Sequence, residues 1–397
     1  MRIAVFSEVC LPFVNGIATQ VSLLQQSLSS LGHQVLVVAS DLHAQEFYTN
    51  GNVLYCPARP AKNPFDMEII PKKEDELWEL LTEFEPDLLH IHTATGLGQF
   101  AVRYSERLDL PVVTTVYDGC AGLLSYYGPS LLKGITQARC KSHIRRVLEN
   151  SDCIVSASGK AAEELEACGL YHDVEAIPCA ADYGRFRPGV IGTEEARRMR
   201  VQSGLPEDAP LALFAGKIGQ EKNLEILIQL WAQQVRENDA LCLLILGDGP
   251  ERDVLTAWAE ECGIAANVLF LGEVPHEEMP AYYGMCDFFV SASKSGAACT
   301  AMLEAIGCGL PALIPSSAGC APLIREGING FTYKSAAEFG EYVRKLASLD
   351  EEGKRLLKRV VRKTVDGNAA VLAARYLVTL YDKAIAEHYG NEDGTED

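Results

Sequence analysis

Short apolar runs alternate with amphipathic stretches along the whole chain of 397 residues. RIAVFSEV, at the start, reads as a strand. In ATQVSLLQQSLSSLG the residues Val21, Leu24, Leu28 and Leu31 recur at helical spacing on one face, and a glycine closes the stretch. HQVLVVAS is the next strand. DLLHIH, PVVTTVY and CIVSAS follow, each separated from the last by a helical pattern. These runs are apolar almost throughout, which predicts a sheet covered on both faces. Their alternation with helices predicts a parallel, doubly wound α/β sheet.

The pattern then repeats. IPCAADYGRFRPG, residues 177–189, is rich in turn formers and marks a boundary. After it come PLALFAG, LCLLILG, NVLFLG, FFVSAS and PALIP, again with helices between them. Two Rossmann-like domains in tandem are predicted, over residues 1–182 and 183–366. A long amphipathic helix follows over 367–390, then an acidic tail over 391–397 that reads as disordered. In such sheets a ligand is expected in the crevice at the strand C-termini.

Charge and cysteine usage narrow the function. The formal net charge is -19, which argues against a nucleic-acid binder, because phosphate contacts need clustered Lys and Arg. No apolar run reaches 18 residues, and the N-terminus lacks a signal-peptide cleavage pattern. The 13 cysteines are scattered singly, with no Cys-x-x-Cys pair, so neither a zinc site nor a disulfide framework is expected. They read as buried thiols of a reducing, cytoplasmic protein.

Tandem Rossmann-like domains suggest a nucleotide, but the common phosphate loops are missing. The loop after the first strand, SEVCLPFVNGIATQ, has only Gly16, so there is no Gly-x-Gly-x-x-Gly, and no P-loop occurs. Three other segments follow strands of the second half. FAGKIGQEKNLEIL places Lys217 and Lys222 past a strand and at a helix start, either as a clamp on a diphosphate or as surface lysines. LLILGDGPERDVL ends a strand in a Gly-Asp-Gly-Pro turn, which either admits a ligand to the backbone or only turns the chain. SASKSGAACTAMLEAIGCGLPALI, residues 291–314, runs from a strand through small residues into a helix expected to start near Thr300. Free N–H groups there suit a phosphate. Glu304, in the first turns, is either an acceptor for a ribose diol or a partner of the helix dipole.

Taken together, NGIATQVSLLQQSLSSLGHQV, DLLHIHTATGLG, GKIGQEKN, LLILGDGPERDVL, VLFLGEVPHEEMPAYYGMCDFFVSAS, EAIGCGLPALI and REGINGF resemble glycosyltransferase family 4 over nearly the whole length. SASKS and the overall length are most similar to the branch that glucosylates diacylglycerol. The resemblance implies a GT-B fold, two Rossmann-like domains facing a cleft, with the C-terminal helix returning to the first domain. It implies a retaining hexosyl transfer from a nucleotide diphosphate sugar, uridine diphosphate glucose in the first instance, to a lipid or glycan acceptor. It implies no metal and no cofactor. By the same resemblance Lys217 and Lys222 hold the donor diphosphate, and Glu304, the second acid of the Glu-x7-Glu motif, binds the donor ribose. Cys299, Thr300 and Ala301 line the sugar and phosphate, and Gly16 lies on the first-domain loop that closes on the donor.

The chain departs from the pattern at the donor site. The first acid of Glu-x7-Glu falls on Gly296, the histidine expected near the transferred sugar is replaced by Tyr117, and the basic pair begins with Lys217 in place of Arg. Two readings follow: an active transferase with an altered site, or a catalytically inactive relative that binds a nucleotide or a protein partner. In the active reading Lys217 and Lys222 stabilise the leaving diphosphate. Tyr117 offers a hydrogen bond, and Asp118 is either a substitute carboxylate or a solvated loop residue. His90 and His92 end a strand on the acceptor side, or are core histidines. Lys133, Arg139, Lys141, Arg145 and Arg146 make a basic stretch in an acidic chain, either an anionic-membrane surface on the inner face or a solvated helix face.

Overall fold

The computed structural model describes residues 1–10, 16–60, 69–117, 133–158, 160–236, 238–293 and 299–390, with residues 60, 69, 70, 133–140 and 299 described by backbone alone. The chain divides into two units: Met1–Phe13, Ile17–Cys179 and Ala370–Asp397 form the first, and Val14–Gly16 and Ala180–Ala369 the second.

The first unit is a sheet of β1 (Arg2–Ser7), β2 (Gln34–Asp41), β3 (Tyr48–Asn50), β4 (Val53–Pro60), β5 (Ile69–Pro71), β6 (Leu88–Ile91), β7 (Val112–Thr115), β8 (Cys153–Ser156) and β9 (Glu175–Ala176). Their order is β3-β4-β2-β1-β6-β7-β8-β9, with β5 on β4. All pairs are parallel except β3 with β4 and β4 with β5. Side chains alternate across β1, so the two faces bury different sets. Ile3 and Val5 pack with Val21 and Leu28 of helix Gly16–Ser30 and with Leu377 and Tyr381 of helix Ala369–Gly390. Ala4 and Phe6 pack on the other side with Leu77, Leu81, Phe100 and Tyr104. The first helix stops where the glycine predicts. Gly32 takes φ +90, Gly32 N–H donates to the Ser29 carbonyl, and His33 N–H donates to that of Leu28. This paired arrangement satisfies carbonyls that the helix end would otherwise leave open.

The second unit is wholly parallel: β10 (Leu211–Ala215), β11 (Cys242–Leu246), β12 (Val268–Gly272), β13 (Phe288–Val290), β14 (Ala312–Pro315) and β15 (Gly330–Tyr333), in the order β12-β11-β10-β13-β14-β15. Trp231, Phe288, Phe339, Leu227 and Leu243 are fully buried in its core. Two Rossmann-like parallel sheets are therefore present, as the alternation of runs predicts. The sequence reading passed over β3, β4, β5, β9 and β15.

The ten described cysteines are all free. Among the described residues no group of three potential metal ligands occurs, and no helix is long and apolar enough to cross a membrane.

Candidate active site

In each sheet the order reverses at one point, and there the loops leaving two neighbouring strands diverge and open a crevice. In the second unit that point lies between β10 and β13. The loops leaving these strands are tied together. Asn223, held at φ 50, donates through Nδ2 to the Ala292 carbonyl at 3.3 Å, and Ser293 Oγ donates to the Glu221 carbonyl at 3.1 Å. Lys217 follows β10 and is exposed, while Lys222 ends the short turn Gln220–Lys222 and is buried. Burial pulls the Lys222 ammonium below its usual range. The charges of Glu221 and Cys320 oppose that pull, and the nearby charge of Lys217 adds to it. The two lysines of the sequence motif are thus close enough to feel each other, one in solvent and one in the wall.

The Gly-Asp-Gly turn has a packing reason. A Cβ on Gly247 would stand 2.0 Å from the Gly216 carbonyl oxygen, and one on Gly249 would stand 2.1 Å from that of Ile218. Gly216 N–H donates to Leu246 O at 2.9 Å and Ile218 N–H to Asp248 O at 2.8 Å. The glycines let the loop after β11 press against the loop that carries Lys217. The neighbouring backbone, rather than a ligand, occupies the space that the sequence reading left open to either.

Glu304 lies in helix Cys299–Gly307 with its side chain 5% exposed. Tyr283 donates its hydroxyl to Oε2 at 3.0 Å, and His276 Nε2 meets Oε1 at 2.8 Å. Arg185 Nη1 lies 3.4 Å from Nδ1 of the same His276. A guanidinium has only donors, so His276 Nδ1 accepts and its Nε2 carries the proton that Glu304 receives. Phe186 packs against both His276 and Tyr283. Burial, the charge of Glu304 and the bond to it keep the Tyr283 phenol protonated, its pKa well above the usual 10.0. The carboxylate is therefore fixed by two donors, with two of its roughly four lone-pair positions left for others. Sequence reading found Glu304 but missed the residues that orient it. His276 follows β12 in the second unit, and that position after a strand was the available signal.

In the first unit the order reverses between β1 and β6, and chemistry-bearing side chains gather there as well. His90 is completely buried. Its Nδ1 meets the Tyr381 hydroxyl at 2.6 Å and its Nε2 the Thr115 hydroxyl at 2.7 Å. Both ring nitrogens of His90 are engaged inside the fold, as in the core-histidine alternative. His92 is 6% exposed, its Nδ1 meets the Tyr117 hydroxyl at 2.7 Å, and its Nε2 has no partner among the described residues. Burial lowers its pKa to about 3 and raises that of the Tyr117 phenol, so both stay neutral around pH 7. Glu8, unremarked in the sequence, is also buried here and accepts from Thr95 Oγ1 at 2.6 Å.

Of the remaining site residues, Gly16 opens its helix and is exposed, Thr300 and Ala301 sit half-buried in the first turn after Cys299, and Gly296 and Asp118 lie outside the described residues. The basic stretch falls largely in helix Lys133–Glu149. Arg145 lies 3.9 Å from Glu149 and Arg146 3.0 Å from Glu106, and a Cβ on Gly169 would stand 3.4 Å from Lys141 Nζ. The Lys133 and Arg139 side chains lie outside the described residues.

Two family models match the chain, "Glycosyltransferase Family 4" over residues 14–185 and "Glycosyl transferases group 1" over 195–362. The chain is 24% identical over 333 residues to an alpha-monoglucosyldiacylglycerol synthase of Streptococcus pneumoniae, covering 84% of this chain and 75% of that one. It is 22% identical over 398 residues to the alpha-monoglucosyldiacylglycerol synthase of Acholeplasma laidlawii, covering 98% and 96%. Among solved structures, a sucrose-phosphate synthase from Thermosynechococcus elongatus superposes with a TM-score of 0.73 at 20% identity, over 97% of this chain and 99% of that one.

Proposed function

Because the chain belongs to glycosyltransferase family 4 and has the GT-B fold, we propose that it moves a hexose, glucose from uridine diphosphate glucose in the first instance, to a lipid acceptor of the diacylglycerol class with retention of configuration. The observation that carries the reading is the grouping at the β10/β13 reversal: a buried and an exposed lysine at one strand end, and an oriented carboxylate in the helix that follows the other. Lys217 and Lys222 take the diphosphate and stabilise the charge that grows on it as the sugar leaves. Glu304, held by His276 and Tyr283, accepts from the ribose diol. Positioning and leaving-group electrostatics carry such a transfer without an enzyme nucleophile. The two relatives named as glucosyldiacylglycerol synthases support the acceptor class.

Purified protein incubated with uridine diphosphate glucose, with and without diacylglycerol in vesicles, tests the reading by release of uridine diphosphate. Acceptor-dependent release that falls at least a hundredfold in Glu304→Ala is the expected result. Donor binding by calorimetry with no release under any acceptor would overturn it in favour of a non-catalytic binder.

A further inference from the structure

Among the described residues, an outward basic surface without acidic partners lies on helix Glu351–Arg362, in the second unit. Residues 354–363 read KRLLKRVVRK, six cations and no acid, in a protein of net charge -19. The six divide by face. Lys354 reaches Asp287 at 3.1 Å, Lys358 donates to the Cys286 carbonyl at 3.0 Å, and Arg362 donates to the Tyr183 carbonyl at 3.0 Å. With buried Val361 they form the inner side that docks the helix on its own unit. Arg355, Arg359 and Lys363 occupy the next helical position each time and are exposed. Among the described residues no carboxylate lies within 4.0 Å of any of the three. Leu356 is 61% exposed and Val360 37% exposed, and they flank the cations on the same side. Exposed Glu352 stands only at the amino-terminal end of the stripe, where the helix dipole favours an acid.

We infer that this face of helix Glu351–Arg362 is a docking surface for an anionic lipid membrane. Three cations spaced one turn apart supply attraction to anionic headgroups, and an exposed Leu–Val pair beside them enters the headgroup–acyl boundary, the composition of an interfacial helix. A soluble polyanion would use the cations but has no use for the leucine and valine. The rest of the chain is acidic and is repelled by such a surface, so attraction confined within a Debye length also sets which face approaches. In the basic stretch over residues 131–146, which sequence offers either for this role or as a solvated helix face, Arg145 and Arg146 lie beside carboxylates. The inference adds a membrane partner to the proposed function but rests on a surface that the donor site does not use.

Vesicle co-sedimentation of the full chain tests it, with phosphatidylglycerol-containing vesicles against pure phosphatidylcholine. The wild type should bind the anionic vesicles at least tenfold more tightly, and the preference should shrink in high salt. Each cation near such a surface contributes about fivefold, so Arg355→Gln/Arg359→Gln/Lys363→Gln should lose about a hundredfold. Leu356→Ser/Val360→Ser should lose tenfold or more, and Arg145→Gln/Arg146→Gln little. All the substituted groups are solvent-facing, and circular dichroism checks that the variants fold. Unchanged binding by the triple variant, or no wild-type binding to either vesicle, would overturn the inference. So would binding to heparin as tight as to vesicles and indifferent to Leu356→Ser/Val360→Ser, which marks a polyanion site. Release of nucleotide with a short-chain diacylglycerol in solution separates the two proposals: it should be unchanged in the triple variant, and its absence in the wild type would count against the function, not the surface.

Discussion

Removing the carboxylate of Asp287 is expected to destabilise the second unit. Asp287 Oδ2 accepts from Leu211 N at 2.9 Å and from Arg200 Nη2 at 3.3 Å, and Oδ1 lies 3.1 Å from Lys354 Nζ. Side-chain exposure is 6% at Asp287, 9% at Arg200 and 15% at Lys354, so solvent cannot replace what is lost. Arg200 also holds the carbonyls of Met285 at 2.8 Å and Ala209 at 2.9 Å, which pins it in place with its charge uncompensated. Stripping one partner from a buried pair costs about 3–5 kcal/mol. Lys354 can turn to Glu351, already 3.5 Å away, so the middle of that range, about 4 kcal/mol, is expected for Asp287→Ala. At roughly 2–4 °C per kcal/mol for a unit of this size, the transition should fall by about 8–16 °C in scanning calorimetry at pH 7. Asp287→Asn keeps an acceptor for the Leu211 amide and should lose about half as much. A loss in Asp287→Ala below about 1 kcal/mol, or an Asn variant as damaged as the Ala one, would refute the reasoning.

Further outcomes follow from other groups. Desolvation pulls His388 down, but its bond to Asp152 and the charges of Asp152 and Asp109 outweigh that and hold its pKa above the usual 6.5. Its contribution to the packing of helix Ala369–Gly390 is therefore full below pH 6.5 and fades as pH rises through the folded value, so wild type and His388→Asn should converge in melting temperature as pH rises above 6.5. Gly247→Ala combines φ +128 with a Cβ placed 2.0 Å from a carbonyl oxygen and should destabilise by on the order of 3 kcal/mol or more in urea, with an unchanged midpoint counting against the packed-loop account. His92 titrates at about 3, so the pH–rate profiles of wild type and His92→Asn should be parallel from pH 5 to 8, and an inflection near 6.5 present only in the wild type would show that His92 takes the proton.

Much of the architecture is legible in the sequence because parallel strands buried on both faces leave unbroken apolar runs, such as the Leu211–Ala215 strand, whose five residues are all buried. The elements missed lack that mark. β4 carries Pro57 and Pro60 and an Arg, and β3 is three exposed residues joined to it through Gly51 at φ +58. The signal was a two-residue Gly-Asn turn, Gly51-Asn52, which closes a hairpin whose ladder pairs Asn50 with Val53. β9 and β15 are two and four residues long. At the site, sequence spacing finds Lys217, Lys222 and Glu304 because each follows a strand or starts a helix. It does not find His276 and Tyr283, which meet Glu304 only in the folded unit, nor Arg185, which meets His276. His90 shows what position alone leaves open. Its place at a strand end suggests chemistry, but its partner Tyr381 lies 291 positions away and makes it part of the core.

These placements bear on where the proton goes in the proposed transfer. Tyr117 stands where the family has a histidine, but burial raises its phenol pKa, and its hydroxyl is engaged by His92. His90 and His92 are both held neutral by burial, and His90 has no free ring nitrogen. Glu304 has each oxygen bound to a donor and sits in a wall of rings. Tyr117, His90 and His92 are therefore not bases poised near neutral pH, the property that general-base catalysis requires. In the proposed transfer Lys217 and Lys222 draw charge onto the leaving diphosphate. A phosphate oxygen that gains charge as the sugar departs would then take the acceptor proton in that transfer. A substrate analogue with the bridging oxygen replaced by a non-leaving methylene would bind with the same dependence on Glu304 and would leave the acceptor hydroxyl protonated, visible as binding without proton release.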